Sequence, residues 1–182
     1  GATRVYFSSE VSDNKKYILI YSANDRGSDL QIDARWLDDN LTVVKRSHAA
    51  FRAEGTLQHG AVDLGNDGTV YMPAFTTVGS LNYADQFWVL SLSPGETKFT
   101  ATELPLQDRY AASGYLKIDN VNSKVYFGGF FAEKKNGSFE GIIYGDMDIA
   151  SHKFLTTRFI PFDQDLVKAA GARRRNHAFD NY

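Results

Sequence analysis

Cysteine is absent from the 182-residue chain, so neither disulfides nor thiol chemistry contributes, and a small cross-linked scaffold is argued against. An excess of one charge is also lacking. The net charge of −2 and an isoelectric point near 6.1 leave no global positive field to hold nucleic acid or an anionic membrane. No apolar run approaches the roughly 20 residues that a helical membrane span needs, so membrane insertion is not expected. Gly1-Ala2-Thr3-Arg4 is neither an initiator methionine nor a basic and apolar signal peptide, which raises the expectation of a piece cut from a longer protein. Missing too are a Gly-X-Ser-X-Gly elbow and a phosphate-cradling glycine loop, so no nucleophile is nominated.

Aromatic residues are present in excess, at 14% with ten Tyr and thirteen Phe. Such side chains fit the pleated, half-buried surface of a sheet, and the composition favours β structure before any pattern is read. The length suits one sizeable core or a few repeats.

Three segments share one plan. The first unit covers residues 5–51, with strands expected near 5–9, 17–23, 30–37 and 42–51. The second covers 56–106, with strands near 57–64, 69–76, 86–92 and 99–106. The third covers 110–162, with strands near 113–118, 124–132, 141–146 and 154–162. Tyr17, Val70 and Val125 open the second strands at intervals of 53 and 55 residues; Gln31, Trp88 and Ile143 anchor the third strands at 57 and 55. Two second strands, Tyr17-Ile18-Leu19-Ile20-Tyr21 and Val125-Tyr126-Phe127, are continuously apolar, the pattern of a strand buried on both faces. Thr97–Thr102 alternates with polar residues, as an outer edge strand should. Residues 163–182 read as a helical connector: Asp163 and Asp165 open a short helix over 163–170, and Arg173-Arg174-Arg175 follow near its carbonyl end, in the order the helix dipole favours.

The segments Asp67-Gly68-Thr69-Val70-Tyr71 and Asn122-Ser123-Lys124-Val125-Tyr126-Phe127-Gly128-Gly129-Phe130 place a polar turn before a Val-Tyr strand and then glycines. This arrangement resembles degenerate β-propeller repeats of bacterial cell-envelope proteins. The resemblance covers residues 5–162, lacks the Trp-Asp and Gly-His signatures of WD40 repeats, and carries a double glycine only at Gly128-Gly129. It implies an all-β fold of three four-stranded antiparallel propeller-type blades, part of a larger propeller, in a soluble periplasmic or secreted protein. Three blades cannot close a ring, so the flat faces of the first and third units should stay apolar. Either further blades or a second copy would cover them.

Candidate chemistry is sparse. His48, His59, His152 and His177 are scattered, with no two at ligand spacing, so no metal site and no cofactor is expected. Asp38-Asp39 and Asp146-Met147-Asp148 sit beside turns, where aspartate bonds nearby amides. Asp63-Leu64-Gly65-Asn66-Asp67-Gly68 superficially looks like a calcium loop, yet glycine holds its third position and no glutamate its twelfth. Asn40-Leu41-Thr42 and Asn136-Gly137-Ser138 fit the glycosylation pattern within turns.

The aromatics Trp36, Tyr83, Trp88 and Tyr110 lie near strand ends, where they either fill gaps between sheets or anchor contacts. In a propeller the loops joining strands two and three, and one unit to the next, emerge on one face. Arg26, Tyr83, Asp85, Arg109, Tyr110 and Lys134 are therefore expected to share a ligand-binding area. The expected function is a non-catalytic binding or scaffolding module that recognises a protein or glycan. The alternative is a carbohydrate-active hydrolase or lyase with carboxylates from different blades meeting at the centre.

Overall fold

Short runs of aromatic and β-branched residues, each closed by an Asp, Asn, Gly or Pro turn, form thirteen strands in the computed structural model. It describes residues 6–78, 83–163 and 165. The first unit holds β1 (Ser8–Val11), β2 (Ile18–Arg26), β3 (Asp29–Leu37) and β4 (Val43–Arg52), an antiparallel sheet in chain order. The second holds β5 (Thr56–His59), β6 (Asp63–Leu64), β7 (Val70–Val78), β8 (Tyr83–Leu92) and β9 (Thr100–Glu103). Here β5 and β6 together form a broken first strand along β7, and β9 runs along β8. The third holds β10 (Tyr110–Asp119), β11 (Lys124–Ala132), β12 (Gly141–Asp148) and β13 (Lys153–Pro161), again in chain order. A single pair, Ala111 with Ala84, joins β10 to β8 and makes the second and third units one nine-stranded sheet. The helix expected over 163–170, Arg173-Arg174-Arg175 and His177 fall essentially outside the described residues.

The units stack face on face. Leu19, Tyr21, Ile32, Ala34 and Trp36 of the first sheet pack on Val70, Met72, Ala74, Leu90 and Leu92 of the second. The opposite face of the second unit supplies Tyr71, Val89 and Phe87, which meet Val125, Phe127, Phe131, Ile143 and Met147 of the third. Each fully buried aliphatic side chain in these layers, such as Leu19 or Leu90, contributes about 1.5–3 kcal/mol relative to exposure. Residues 70–74 are buried without a break, as expected of a strand covered on both sides. The expected double burial fails for β2 and β11. Both alternate, with Ile20 37% and Phe130 38% exposed, because the first and third sheets are covered on one face only. Their open faces keep apolar groups: Val11, Ile20 and Val43 on one, Tyr115, Phe130, Ile142 and Ile160 on the other.

The pairing also corrects the repeat register. Tyr17 lies before β2, and Ile18, paired with Val11, points away from the second unit. The structural counterparts are therefore Ile18, Val70 and Val125, one residue removed from Tyr17. Because side chains alternate across a sheet, that slip would have put the wrong set of residues in the core. The anchors Gln31, Trp88 and Ile143 do share one facing.

Turns lock the stack at one end. The backbone N–H of Asn14 donates to Asn66 Oδ1 at 2.9 Å, and the N–H of Asn66 donates to Asn120 Oδ1 at 2.9 Å. Asn120 Nδ2 then donates to Asp13 at 2.9 Å, so the first turns of all three units are joined. Trp36 Nε1, fully buried, donates to the Gly68 carbonyl at 2.7 Å. Gly68 takes φ +87° there, a left-handed conformation that favours glycine.

Candidate functional site

At the end opposite the asparagine turns, β2, β7 and β11 all terminate, and the loops there carry the six residues expected to bind. The structure gathers some of them. Tyr83 is buried, its hydroxyl donating to the Gly137 carbonyl at 2.7 Å, and it packs with Ala112, Ala132 and Tyr110. Burial pushes the Tyr83 phenol above its ordinary range. Lys134 is exposed on the same loop, where its carbonyl accepts from the Gly137 N–H. Arg109 pairs with Glu133 at 2.8 Å and lies over the Phe159 ring at 4.4 Å. Asp85 accepts from the Thr76 hydroxyl at 2.6 Å, and Arg26 is exposed at the end of β2 in the other sheet. Trp36 and Trp88 turn inward: Trp36 is fully buried, and Trp88 meets Phe51 edge-on with centroids 5.3 Å apart.

A deeper feature lies between the first strands of the second and third units. The two units touch at Ala84–Ala111 and again where the Ile118 N–H donates to Asp63 Oδ2 at 3.0 Å. Between those contacts they part around a cleft of about 630 Å³. Two local irregularities line it. The first strand of the second unit breaks at Gly60-Ala61-Val62, between β5 and β6, and β10 has a register shift between Ala112 and Gly114. Such bulges re-aim side chains, and they recur beside functional sites. Phe75 and Phe87, stacked at 5.9 Å, form an apolar wall, and Tyr115 is 76% exposed at the lining. Gln58, Asp63 and Lys117 supply the polar groups. A mostly apolar cleft with a few polar groups is the usual form of a ligand site.

Lys117 Nζ stands 3.3 Å from Asp63 Oδ2, and Glu10 of the first unit faces both. Burial, and then the Asp63 charge, hold the Glu10 carboxyl above its ordinary range, with Lys117 opposing. One residue from each unit thus meets at this point. Sequence reading missed the cluster because Asp63 was legible only as a turn aspartate. The glycines at 60 and 114 were the signal that the two inner strands depart from regular pairing.

The histidines stand apart. His48 pairs with Asp33 at 2.8 Å on the surface, and His59 Nδ1 lies 3.1 Å from the Gly60 carbonyl. Asp67 is occupied by Thr69, through its N–H at 2.8 Å and hydroxyl at 2.9 Å, while Asp63 turns to Lys117 and Ile118. Among the described residues no three His, Asp or Glu side chains gather as a metal-ligand group, and no helix is long and apolar enough to cross a membrane.

No protein-family model and no curated protein sequence matches the chain. Its fold is similar to the crystal structure of a D477G ACO/RPE65 chimera, with a TM-score of 0.53 in the monoclinic form and 0.51 in the trigonal form. Identity is 9% and 6%, and the match covers 87% and 85% of this chain but 39% and 38% of the chimera. A GH43_1 enzyme from Xanthomonas citri complexed with xylose superposes with a TM-score of 0.48 at 12% identity, over 87% of this chain and 56% of that one. The chain spans about two fifths of the chimera's length. It has an all-β, β-propeller-like fold of antiparallel sheets.

Proposed function

We propose that the chain is a non-catalytic binding module of a bacterial envelope protein. Its three four-stranded units act as propeller blades, and its ligand sits in the cleft between the second and third. The cleft walls carry this reading. Phe75 offers an aromatic surface to the C–H face of a sugar and Tyr115 stands at the rim, while Gln58, Asp63 and Lys117 supply groups for its hydroxyls. A glycan is therefore the favoured ligand. The envelope setting rests on the turn-Val-Tyr segments of the repeat. Glycan-array binding of the wild-type chain and of Tyr115→Ala and Lys117→Ala variants, both at exposed lining positions, tests it. Binding to a defined glycan that both variants lose supports the reading. Binding only to peptides on a matched array, or none to either, removes it.

Glu10 beside Asp63 favours a second reading, hydrolysis or elimination on a carbohydrate. A carboxyl whose pKa is raised by burial and then by a neighbouring carboxylate is shifted in the direction a general acid needs. Reducing-sugar release from polysaccharides, abolished in Glu10→Gln, would establish turnover and displace the non-catalytic proposal.

A further inference from the structure

Proline is tolerated inside a sheet only at a bulge or an edge, because it cannot return a ladder hydrogen bond. Pro73 sits in the middle of β7, opposite Gly60. The Gly60 N–H donates to the Pro73 carbonyl at 3.0 Å, but Pro73 has no N–H to return, and the Gly60 carbonyl faces His59 Nδ1 at 3.1 Å instead. The ladder stops there. It resumes where Asp63 pairs with Tyr71, which leaves Ala61 and Val62 together opposite Met72. One extra residue is thus set into the first strand of the second unit. Among the described residues, the backbones of Ala61 and Val62 take part in no hydrogen bond, although Val62 is buried. Main-chain groups in such a place require a partner.

Successive amides of an extended strand point to opposite edges. The Leu57 N–H leaves β7 for the Gly27 carbonyl at 2.6 Å, and the Gly60 N–H faces β7. The Ala61 N–H therefore turns away from β7 again, to the edge that borders the cleft. Across the cleft, the Ile118 N–H leaves β11 for Asp63 Oδ2 at 3.0 Å, so Leu116, two residues earlier, presents its N–H and carbonyl to the same edge. Ala61 and Leu116 both line the cleft, beside apolar surface from Pro73 and Phe75.

Two features select the partner. The Ala84–Ala111 pair closes one end of the cleft, and Asp63 closes the other through Ile118 and Lys117, so a continuous peptide strand has no path along these edges. Lys117 is answered by Asp63 at 3.3 Å and faced by Glu10, which leaves no cation free for a carboxylate. A short neutral amide meets both conditions. Its carbonyl accepts, its N–H donates, and its methyl group suits Pro73 and Phe75. We propose that the glycan bound in this cleft carries an acetamido group, seated between the strand edges at Ala61 and Leu116. The inference rests on the glycan reading of the cleft and specifies the substituent that is recognised.

Titration of the purified chain with oligomers of N-acetylglucosamine and N-acetylgalactosamine, against the matching glucose and galactose oligomers, tests it. One acetamido series should bind about tenfold tighter than its hydroxyl counterpart, as two added hydrogen bonds would give. Amide NMR spectra should show the Ala61 and Leu116 N–H signals shifting as that series binds. Ala61→Pro, which lacks the N–H, should lose most of the preference. Circular dichroism checks its fold, and where it does not fold the wild-type amide shifts decide. Equal binding of the acetamido and hydroxyl series overturns the inference and leaves the glycan reading standing. An acetamido preference that leaves both amides unmoved, or that a folded Ala61→Pro retains in full, overturns it too. Failure of every sugar, or an extended peptide that moves the same two amides in their place, removes the inference together with the glycan reading.

Discussion

Asn14 and Asn66 clasp each other across two sheets: the Asn14 N–H reaches the Asn66 side chain at 2.9 Å, and Asn14 Nδ2 reaches the Asn66 carbonyl at 3.0 Å. The pair sits 52 residues apart, and the next link, to Asn120, spans 54. Equivalent turns are thereby held in step. Asn66→Ala removes the acceptor and should cost about 0.5–1.5 kcal/mol in urea unfolding, as for a typical net hydrogen bond. Asn66→Asp keeps the acceptor and should cost less. Equal losses for the two variants would show that the clasp is not what stabilises the turn.

Trp36 gives a sharper test, because its indole N–H is buried against the Gly68 carbonyl. Trp36→Phe keeps an aromatic ring but orphans that carbonyl, a loss of about 1–3 kcal/mol. Trp36→Ala adds a cavity, for about 3–5 kcal/mol. Thermal and urea melts of both should rank in that order. A Phe variant as stable as wild type would mean that water replaces the bond.

Tyr71 links stability to alkaline pH. Burial, and secondarily the Asp67 charge, push its phenol up to about 12 from an ordinary 10. The folded state thus favours the protonated phenol more than the unfolded state does. That stability is fully present below pH 10 and is lost as pH rises from 10 to about 12. Urea unfolding of the wild type and of Tyr71→Phe across this window should show a steeper fall for the wild type. Parallel curves would refute the assignment.

Gly114 is a steric test of the cleft. A Cβ there would strike the Phe127 ring, so Gly114→Ala should destabilise by about 1–3 kcal/mol through overpacking. At Gly128 nothing stands within 4 Å of the added carbon, and the same substitution should be near neutral. Equal effects at both sites would mean that β10 moves freely away from β11.

Acid pH acts through the turn aspartates. Hydrogen bonds from Asn122 hold Asp119 below its ordinary range, and hydrogen bonds from Ser151 do so for Asp148. Their contribution is present above the ordinary value of 3.8 and is lost as pH falls through the lower folded-state values. Asp119→Asn should flatten the acid limb of stability against pH. An unchanged limb would exclude the turn as its source.

Much of this architecture was legible in the residues. The apolar runs at 17–21 and 125–127, and turns such as Gly65-Asn66-Asp67-Gly68, marked twelve strands in three groups close to where they form. Less legible were the register and the centre. Tyr17 and Ile18 are both apolar, so nothing local told which opens the strand, and only cross-strand pairing with Val11 decided it. Glu10, Asp63 and Lys117 are far apart in the chain and ordinary in their local settings. Their meeting depends on how two sheets diverge from the Ala84–Ala111 pair.

The sequence by itself determined the all-β class of structure, the approximate places of its strands and the surplus of apolar surface at both ends of the stack. Alternation, turn chemistry and aromatic content act over a few neighbouring residues and can be read locally. Which face each strand buries, where the inner strands part, and which carboxyl has its pKa raised by burial were decided only by tertiary structure. Those properties arise from contacts between residues some 50 to 110 positions apart, whose geometry no local pattern carries.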